Sequence, residues 1–312
     1  MVHPRPLQAG GCIGLFAPSG VIALERHAKA VARLEALGFR VVVAEEASFF
    51  WRYFAGTDEE RLAAFHRLLA DPQVDALMMV RGGYGWSRLL HRVDWELVAR
   101  ARKPLIGFSD FTALNLAALA RCNLMTFAGP GAAVDFGGID DDARAQEGHD
   151  FTDRHCWPAL RGEAIEVAPI ADAAGQAPQV IEGPLWGSNL SLISDLTGTP
   201  FLPEVHGGIL FLEEINEQPY AVERMLFNLF HAGILGRQKA ILLGAFTDCE
   251  PDGGRFAYRM EHVIETLRAL VPVPVLAGLP FGHVPAKLTI PYGAPARLVI
   301  GRDGYSLTLN AG

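Results

Sequence analysis

The first 120 residues alternate short apolar runs with segments of helical periodicity, and this alternation limits the possible folds more than any other feature of the sequence. Each apolar run is nearly continuous, as expected for a strand that is buried on both faces of its sheet. We therefore predict an α/β domain in which helices cover both faces of a parallel sheet. The runs lie at 12–17, 40–43, 76–80 and 105–107, and the helical patterns lie at 24–37, 57–70 and 111–120.

Local signals at the ends of two helices agree with this prediction. Thr57 and Glu60 have the spacing of a capping box, in which each side chain binds the other residue's backbone N–H. Gly38 stands where a left-handed residue commonly ends a helix. In such a sheet the functional crevice lies beyond the carboxyl ends of the strands, so loops 17–20, 81–85 and 107–110 should share one rim.

The pattern changes after residue 130, where a Gly- and Asp-rich stretch precedes a helical segment and an Ala/Gly/Pro-rich connection. We predict an N-terminal α/β domain at 1–161, a linker at 162–178 and a smaller, mixed, β-rich domain at 179–312. In the second domain, strands are expected at 181–186, 208–212 and 240–246, helices at 220–231 and 259–270, and a hairpin at 296–300 and 305–309.

Composition argues against several classes of function. The 312 residues are half hydrophobic, carry a formal net charge of −8 and contain no Lys/Arg cluster, so nucleic-acid binding is not expected. The four cysteines form no CxxC pair, which predicts free thiols, and neither a metal nor a cofactor is expected. The sequence has neither a signal-peptide pattern nor an apolar segment of membrane length, so we expect a cytoplasmic protein without a membrane partner.

Ser109 stands between the fourth predicted strand and the helix after it, in the stretch PLIGFSDFTAL. A serine on such a turn exposes its hydroxyl, and the next backbone N–H, that of Asp110, points to where negative charge would develop. The stretch keeps the first glycine of the hydrolase pattern GxSxG, at Gly107, and lacks the second. Taken by itself, this motif favours a helix-capping serine over a nucleophile.

The glycine-rich turn RGGYG, at 81–85, follows the third predicted strand. It is not a dinucleotide-binding GxGxxG motif, because Arg88 stands at the last glycine position, and no Gly-Lys-Ser/Thr follows to make a P-loop. Its unshielded N–H groups, at Gly82 or Gly83, could complete an oxyanion hole. A tight turn that requires positive φ explains the glycines almost as well.

Two further candidates lie in the second half of the chain. Glu213 ends the apolar run GILFL, where a half-buried carboxylate needs a partner, and His283 lies in the Gly/Pro-rich loop LPFGH. With Ser109 they supply a hydroxyl, a carboxylate and an imidazole. In a catalytic triad the hydroxyl attacks the substrate, the carboxylate orients the imidazole, and the imidazole transfers the proton.

The blocks GLFAPSG, FAGTDEERL, VRGGYGWSRLL, IGFSDFTAL, WGSNLSLI, GTPFLPE, LFLEEINEQPYAVERML, HAGIL and LPFGH occur in this order from about residue 13 to 293. This ordered set resembles the LD-carboxypeptidases, the murein tetrapeptide carboxypeptidases of serine peptidase family S66. The resemblance implies an N-terminal domain like class I glutamine amidotransferases, a smaller swivelling β-rich (β/β/α) domain and a homodimer. It also implies a cytoplasmic enzyme of cell-wall recycling that removes the terminal D-Ala from murein tetrapeptide.

The resemblance assigns roles to residues of this chain. Ser109 matches the nucleophile, Glu213 the acid and His283 the base, while the oxyanion donors match the backbone N–H of Asp110 and that of Gly82 or Gly83. The site would form only when the two domains dock, so activity should depend on the linker. Expected substrate contacts are Arg81, with Arg88 as a second candidate cation, Tyr84, Asn189 and Trp186, although Trp186 would equally suit the core.

Three other interpretations remain open. The microcin-C immunity proteins of the same family share the triad and cleave aminoacyl-nucleotide amides. They tend to carry a longer loop, and this sequence shows no obvious insertion that would correspond to it. A non-catalytic α/β binding protein could use the same crevice. A glutamine amidotransferase would need a cysteine at the elbow, where Ser109 stands.

Overall fold

The computed structural model describes residues 1–138, 143–171, 177–250 and 257–312, without the side chains of 143–146. The strands are β1 (Cys12–Phe16), β2 (Arg40–Val43), β3 (Ala76–Met79), β4 (Leu105–Gly107), β5 (Thr126–Ala128), β6 (Ile165–Ala171), β7 (Gln179–Asn189), β8 (Ile209–Ile215), β9 (Ala240–Thr247), β10 (Val275–Leu276), β11 (Ile290–Tyr292), β12 (Pro295–Ile300) and β13 (Gly304–Leu309). The α-helices are α1 (Leu24–Ala36), α2 (Asp58–Ala70), α3 (Trp86–Leu89), α4 (Trp95–Ala101), α5 (Thr112–Cys122), α6 (Ala143–Leu160), α7 (Leu190–Leu196), α8 (Pro219–His231) and α9 (Met260–Leu270).

The first sheet has the strand order β11-β5-β4-β3-β1-β2. Its first five strands along the chain pair in parallel, which confirms the predicted α/β architecture of this half. Strand β11 comes from the second half of the chain and pairs antiparallel with β5. Strands β5 and β11, of three residues each, were not among the strands predicted from the sequence.

The second sheet has the order β10-β9-β8-β7-β12-β13-β6. Strands β7 to β10 pair in parallel, and the other three pair antiparallel, as expected for the mixed second half. The predicted hairpin is confirmed by the register of β12 and β13, in which Ala296 faces Leu309. Strand β6 lies inside the predicted linker 162–178, and residues 172–176 are outside the described residues, so the domain boundaries stay a prediction.

The helix ends follow the local sequence. The Thr57 hydroxyl accepts a hydrogen bond from the N–H of Glu60, and the Glu60 carboxylate accepts one from the N–H of Thr57, which confirms the capping box of α2. Gly38 has a φ of 91° just after α1, where a β-carbon would be strained. Among the described residues, no helix combines the length and the hydrophobicity that a membrane crossing requires.

Four buried aromatic rings pack beneath the carboxyl ends of the first sheet. Trp86 meets Phe16, Phe65 and Phe111 edge to face, at centroid distances between 5.1 and 6.2 Å. Burying each such ring contributes about 2 kcal/mol or more. Because Trp86 follows the glycine-rich turn and Phe111 lies two residues after Ser109, this cluster anchors both loops to one core.

Candidate active site

Ser109 lies on a sharp turn between β4 and the helical segment that leads into α5. Its φ is 60°, a left-handed conformation that costs a residue with a β-carbon about 1–2 kcal/mol. Gly107, at the end of β4, makes room for the turn, because a β-carbon there would lie 2.6 Å from the Phe111 ring. The Ser109 side chain does not cap the helix, so the local preference for a capping serine is not realised.

The Ser109 hydroxyl instead meets an imidazole from the second half of the chain. His283 Nε2 lies 3.1 Å from Ser109 Oγ, and His283 Nδ1 lies 2.9 Å from Glu213 Oε2. A carboxylate facing Nδ1 holds the proton on that nitrogen, so Nε2 presents its lone pair to the hydroxyl. These three side chains therefore have the connectivity that proton removal from the serine requires.

Glu213 and His283 are both positioned by the second sheet and its loops. Glu213 is fully buried in β8, and among the described residues its Oε1 has no hydrogen-bond partner, so its contact with the imidazole is its main polar interaction. Gly282 has a φ of 130°, and a β-carbon built on it would lie 3.3 Å from the Glu213 β-carbon, so a glycine suits this close approach. The Thr247 hydroxyl of β9 donates to the His283 carbonyl at 3.1 Å, and the Phe108 ring packs against the imidazole.

The glycine-rich turn lies directly against the serine. A β-carbon on Gly82 would lie 3.0 Å from the Ser109 β-carbon and 3.2 Å from Oγ. Gly83 has a φ of 115°, so the alternative explanation for this glycine, a tight turn that requires positive φ, is also confirmed. Among the described residues, neither the Gly82 nor the Gly83 N–H has a hydrogen-bond partner. The turn therefore brings free amide donors beside the hydroxyl.

The Asp110 carboxylate joins three loops behind the site. It accepts hydrogen bonds from the Ser19 hydroxyl, in the loop after β1, and from the Trp86 N–H at 2.9 Å. Burial raises the pKa of Asp110 to about 6, and the hydrogen bonds from Ser19 and Trp86 oppose that rise. The sequence analysis considered only the backbone N–H of Asp110 and missed this side chain, although a carboxylate between two buried segments always needs partners.

A cavity of about 910 Å³ opens over the serine. Residues 21–23, 81–84 and 108–109 line it together with Asn216 and His283. Two of the three loops predicted to share a rim thus line the cavity, and the third, 17–20, contacts the glycine-rich turn through the Gly20 N–H, which donates to the Gly82 carbonyl at 3.2 Å. The charged side chains in this lining are Arg26 and Arg81, and no carboxylate of the described residues contributes to it. The cavity is therefore cationic in a chain whose net charge is −8. None of the sequence motifs considered above contains Arg26, so the sequence did not indicate its place in the cavity.

The predicted substrate contacts separate into two groups. Arg81 and Tyr84 line the cavity, whereas Arg88 lies outside its lining and pairs with Asp58 at 2.7 Å. Trp186 is buried and donates to Gln238 Oε1 at 2.9 Å, which places it in the core.

Asn189 is also buried, and it belongs to a network around Glu214. Its Nδ2 donates to Glu214 Oε1 at 3.0 Å, while the backbone N–H and the hydroxyl of Ser191 donate to Glu214 Oε2 at 2.7 Å. Burial raises the pKa of Glu214. Neither Asn189 nor Trp186 lines the cavity, so we retain neither as a substrate contact.

Two family models match this chain. The LD-carboxypeptidase N-terminal domain matches residues 13–129, and the LD-carboxypeptidase C-terminal domain matches residues 182–298. The first match contains the serine and the glycine-rich turn, and the second contains the glutamate and the histidine.

Individual proteins show the same similarity. The chain is 32% identical to a probable murein peptide carboxypeptidase of Bacillus subtilis, over 95% of this chain and 91% of that protein. The crystal structure of muramoyltetrapeptide carboxypeptidase from Oxalobacter formigenes superposes with a TM-score of 0.83 at 32% identity, covering 96% of this chain and 98% of that one. The microcin C7 self-immunity protein MccF in complex with aspartyl sulfamoyl adenosine gives a TM-score of 0.87 at 25% identity, with coverages of 99% and 98%. The chain therefore belongs to the LD-carboxypeptidases, the serine-type hydrolases of peptidase family S66.

Proposed function

We propose that this protein is a serine carboxypeptidase that releases the terminal D-Ala from murein tetrapeptide. The bond cut joins the L-centre of meso-diaminopimelate to D-Ala. The observation that carries the proposal is the contact of His283 with both Ser109 Oγ, at 3.1 Å, and Glu213 Oε2, at 2.9 Å. The names of the relatives in peptidoglycan metabolism support the substrate class.

Acylation begins when His283 Nε2 takes the Ser109 proton as the hydroxyl oxygen attacks the diaminopimelate carbonyl carbon. The negative charge that develops on the carbonyl oxygen is stabilised by the N–H of Asp110 and that of Gly82 or Gly83. Glu213 stabilises the imidazolium that forms. Collapse of the tetrahedral intermediate breaks the C–N bond, and the imidazolium gives its proton to the departing D-Ala amine.

Deacylation reverses these roles with water. His283 removes a proton from a water molecule, the water oxygen attacks the acyl carbon, and the proton passes to Ser109 Oγ as the ester breaks. The free enzyme and the shortened peptide result. No step requires a metal ion or a cofactor.

The positive charge of the cavity supports the proposal that the substrate carries carboxylates. Arg81 and Tyr84, which belong to the glycine-rich turn, line the cavity, where they would contact the peptide. With this function we also propose a cytoplasmic, homodimeric enzyme of cell-wall recycling, as the family resemblance implies.

One observation favours a second candidate function, cleavage of aminoacyl-nucleotide amides. The structural similarity to MccF with a bound aspartyl sulfamoyl adenosine extends over 99% of this chain. The two functions need the same three side chains and differ in the substrate that is cleaved, so comparing turnover of the two substrates separates them.

The test incubates the purified protein with L-Ala-γ-D-Glu-meso-Dap-D-Ala and, separately, with an aspartyl sulfamoyl adenosine. Mass spectrometry then detects loss of D-Ala or release of aspartate. We expect turnover of the tetrapeptide with a kcat/KM at least tenfold above that for the nucleotide. The reverse preference would assign the chain to the second function.

A further inference from the structure

Arg26, in the first turn of α1, is a half-buried cation without a partner. Its Nε is shielded from solvent and has no hydrogen bond, and its guanidinium forms no ion pair within the described residues. Among the other partly buried arginines of this half, Arg33 pairs with Asp153 and Arg61 with Asp58. Arg81 forms no ion pair within the described residues, but its guanidinium donates a hydrogen bond to the Val21 carbonyl. Removing a guanidinium from water without a partner costs free energy, which an anionic ligand would offset.

Arg26 lies on the imidazole side of the catalytic cavity. It also lines a smaller cavity of about 260 Å³, and the two cavities share Phe108, Val134 and His283 as walls. In the smaller cavity, Lys287 and Asp135 pair with each other at 2.7 Å. Within the part of the chain that the structure describes, Arg26 is therefore a cation beside His283 that has neither an ion pair nor a hydrogen bond from its side chain.

The reaction geometry then indicates which group Arg26 meets. The departing amine takes its proton from His283, so the residue that bears this amine must lie beside the imidazole. In a carboxypeptidase that residue also carries the terminal α-carboxylate, two bonds from the amine nitrogen. Arg81 is less suited to this group, because it belongs to the glycine-rich turn and its guanidinium already donates to the Val21 carbonyl.

We propose that Arg26 binds the terminal α-carboxylate of the substrate and thereby restricts the enzyme to the last residue of the peptide. This inference rests on the proposed carboxypeptidase function. Guanidinium and carboxylate form charge-assisted, often bidentate hydrogen bonds, for which a lysine is an incomplete replacement. The two other carboxylates of the tetrapeptide, on D-Glu and on the D-centre of diaminopimelate, belong to residues that stay on the acyl side.

The experiment measures kcat/KM of the full chain for three peptides: the tetrapeptide, its C-terminal amide, and a tetrapeptide with L-Lys in place of meso-diaminopimelate. The amide lacks the terminal carboxylate, and the lysine peptide lacks the side-chain carboxylate. Arg26→Gln and Arg26→Lys are compared with Arg81→Gln. Arg100→Gln, at an exposed site on α4, controls for the loss of one positive charge. Circular dichroism and unfolding midpoints show whether each variant is folded.

We expect Arg26→Gln to lower the acid-to-amide ratio of kcat/KM by about 10- to 100-fold, with partial recovery in Arg26→Lys. The preference for diaminopimelate over lysine should change less than threefold, and Arg100→Gln should keep every ratio. If the acid-to-amide ratio is unchanged in folded Arg26→Gln, or falls further in Arg81→Gln than in Arg26→Gln, the assignment of Arg26 is overturned. The proposed carboxypeptidase function would not be affected by either result. Absence of D-Ala release by the unmodified chain would overturn the proposed function and this inference with it.

Discussion

The carboxylate of Asp110 accepts a hydrogen bond from the backbone N–H of Trp86 at 2.9 Å, so the residue after the serine holds the far end of the glycine-rich turn. The same carboxylate holds Ser19 in the loop after β1. The two segments that would supply the oxyanion donors are thus connected through one buried anion. The relative position of these two segments therefore depends on the Asp110 side chain, which does not line the cavity.

Asp110→Asn should lower kcat for D-Ala release by about tenfold with little change in KM. The amide keeps one acceptor oxygen and loses the charge that strengthens both hydrogen bonds, so the turn is held less firmly in the transition state. Ser19→Ala, which keeps the charge and removes one donor, should have a smaller effect. A wild-type kcat in Asp110→Asn would show that the carboxylate has no positioning role.

The raised pKa of Asp110 makes a prediction about stability against pH. Its pKa is 3.8 in the unfolded chain and about 6 in the folded chain, so between these values the folded state holds a proton that the unfolded state has released. Raising the pH through this interval therefore removes up to about 3 kcal/mol of stability, at about 1.36 kcal/mol for each pKa unit.

Asparagine cannot titrate, so the free energy of unfolding of Asp110→Asn, minus that of the wild type, should increase from pH 4 to pH 7. Urea denaturation at four pH values within this range measures that difference. A constant difference, or one that decreases with pH, would contradict a buried carboxylate whose ionisation is unfavourable.

Gly82→Ala should lower kcat by about 100-fold while leaving the fold intact. The added methyl group would lie 3.0–3.2 Å from the Ser109 side chain, so either the turn or the serine must move and the oxyanion contacts would lengthen. Gly236→Ala is the matched control, because a β-carbon there meets nothing within 4 Å. Near-normal activity in Gly82→Ala, with an unfolding midpoint like that of the control, would contradict a catalytic role for the glycine-rich turn.

Local sequence patterns predicted most of the first sheet, the hairpin of β12 and β13, and the separate segments that meet at the site. Continuous apolar runs and capping residues act within a few positions of the chain, so sequence alone reveals them. Strands β5 and β11 were not predicted, because a segment of three residues is too short to show the periodicity of a strand. The two strands also pair with each other across more than 150 positions of the chain.

The sequence also did not identify side chains that act through long-range contacts. Arg26 lies within an ordinary helical pattern, and only the packing of α1 near the loop of His283 brings it to the cavity. For Trp186, at the end of the predicted strand 181–186, the sequence left both a substrate contact and a core position open; its ring is buried and donates a hydrogen bond to Gln238. The local sequence around such residues contains no information about the partner they meet.

The most direct test of the central claim is release of D-Ala from L-Ala-γ-D-Glu-meso-Dap-D-Ala, followed by mass spectrometry, with Ser109→Ala as the paired variant. We predict that the unmodified protein converts the tetrapeptide to the tripeptide and that Ser109→Ala, with an unchanged circular dichroism spectrum, lowers the rate at least 10³-fold. Release of D-Ala by Ser109→Ala at the rate of the unmodified protein would contradict the account.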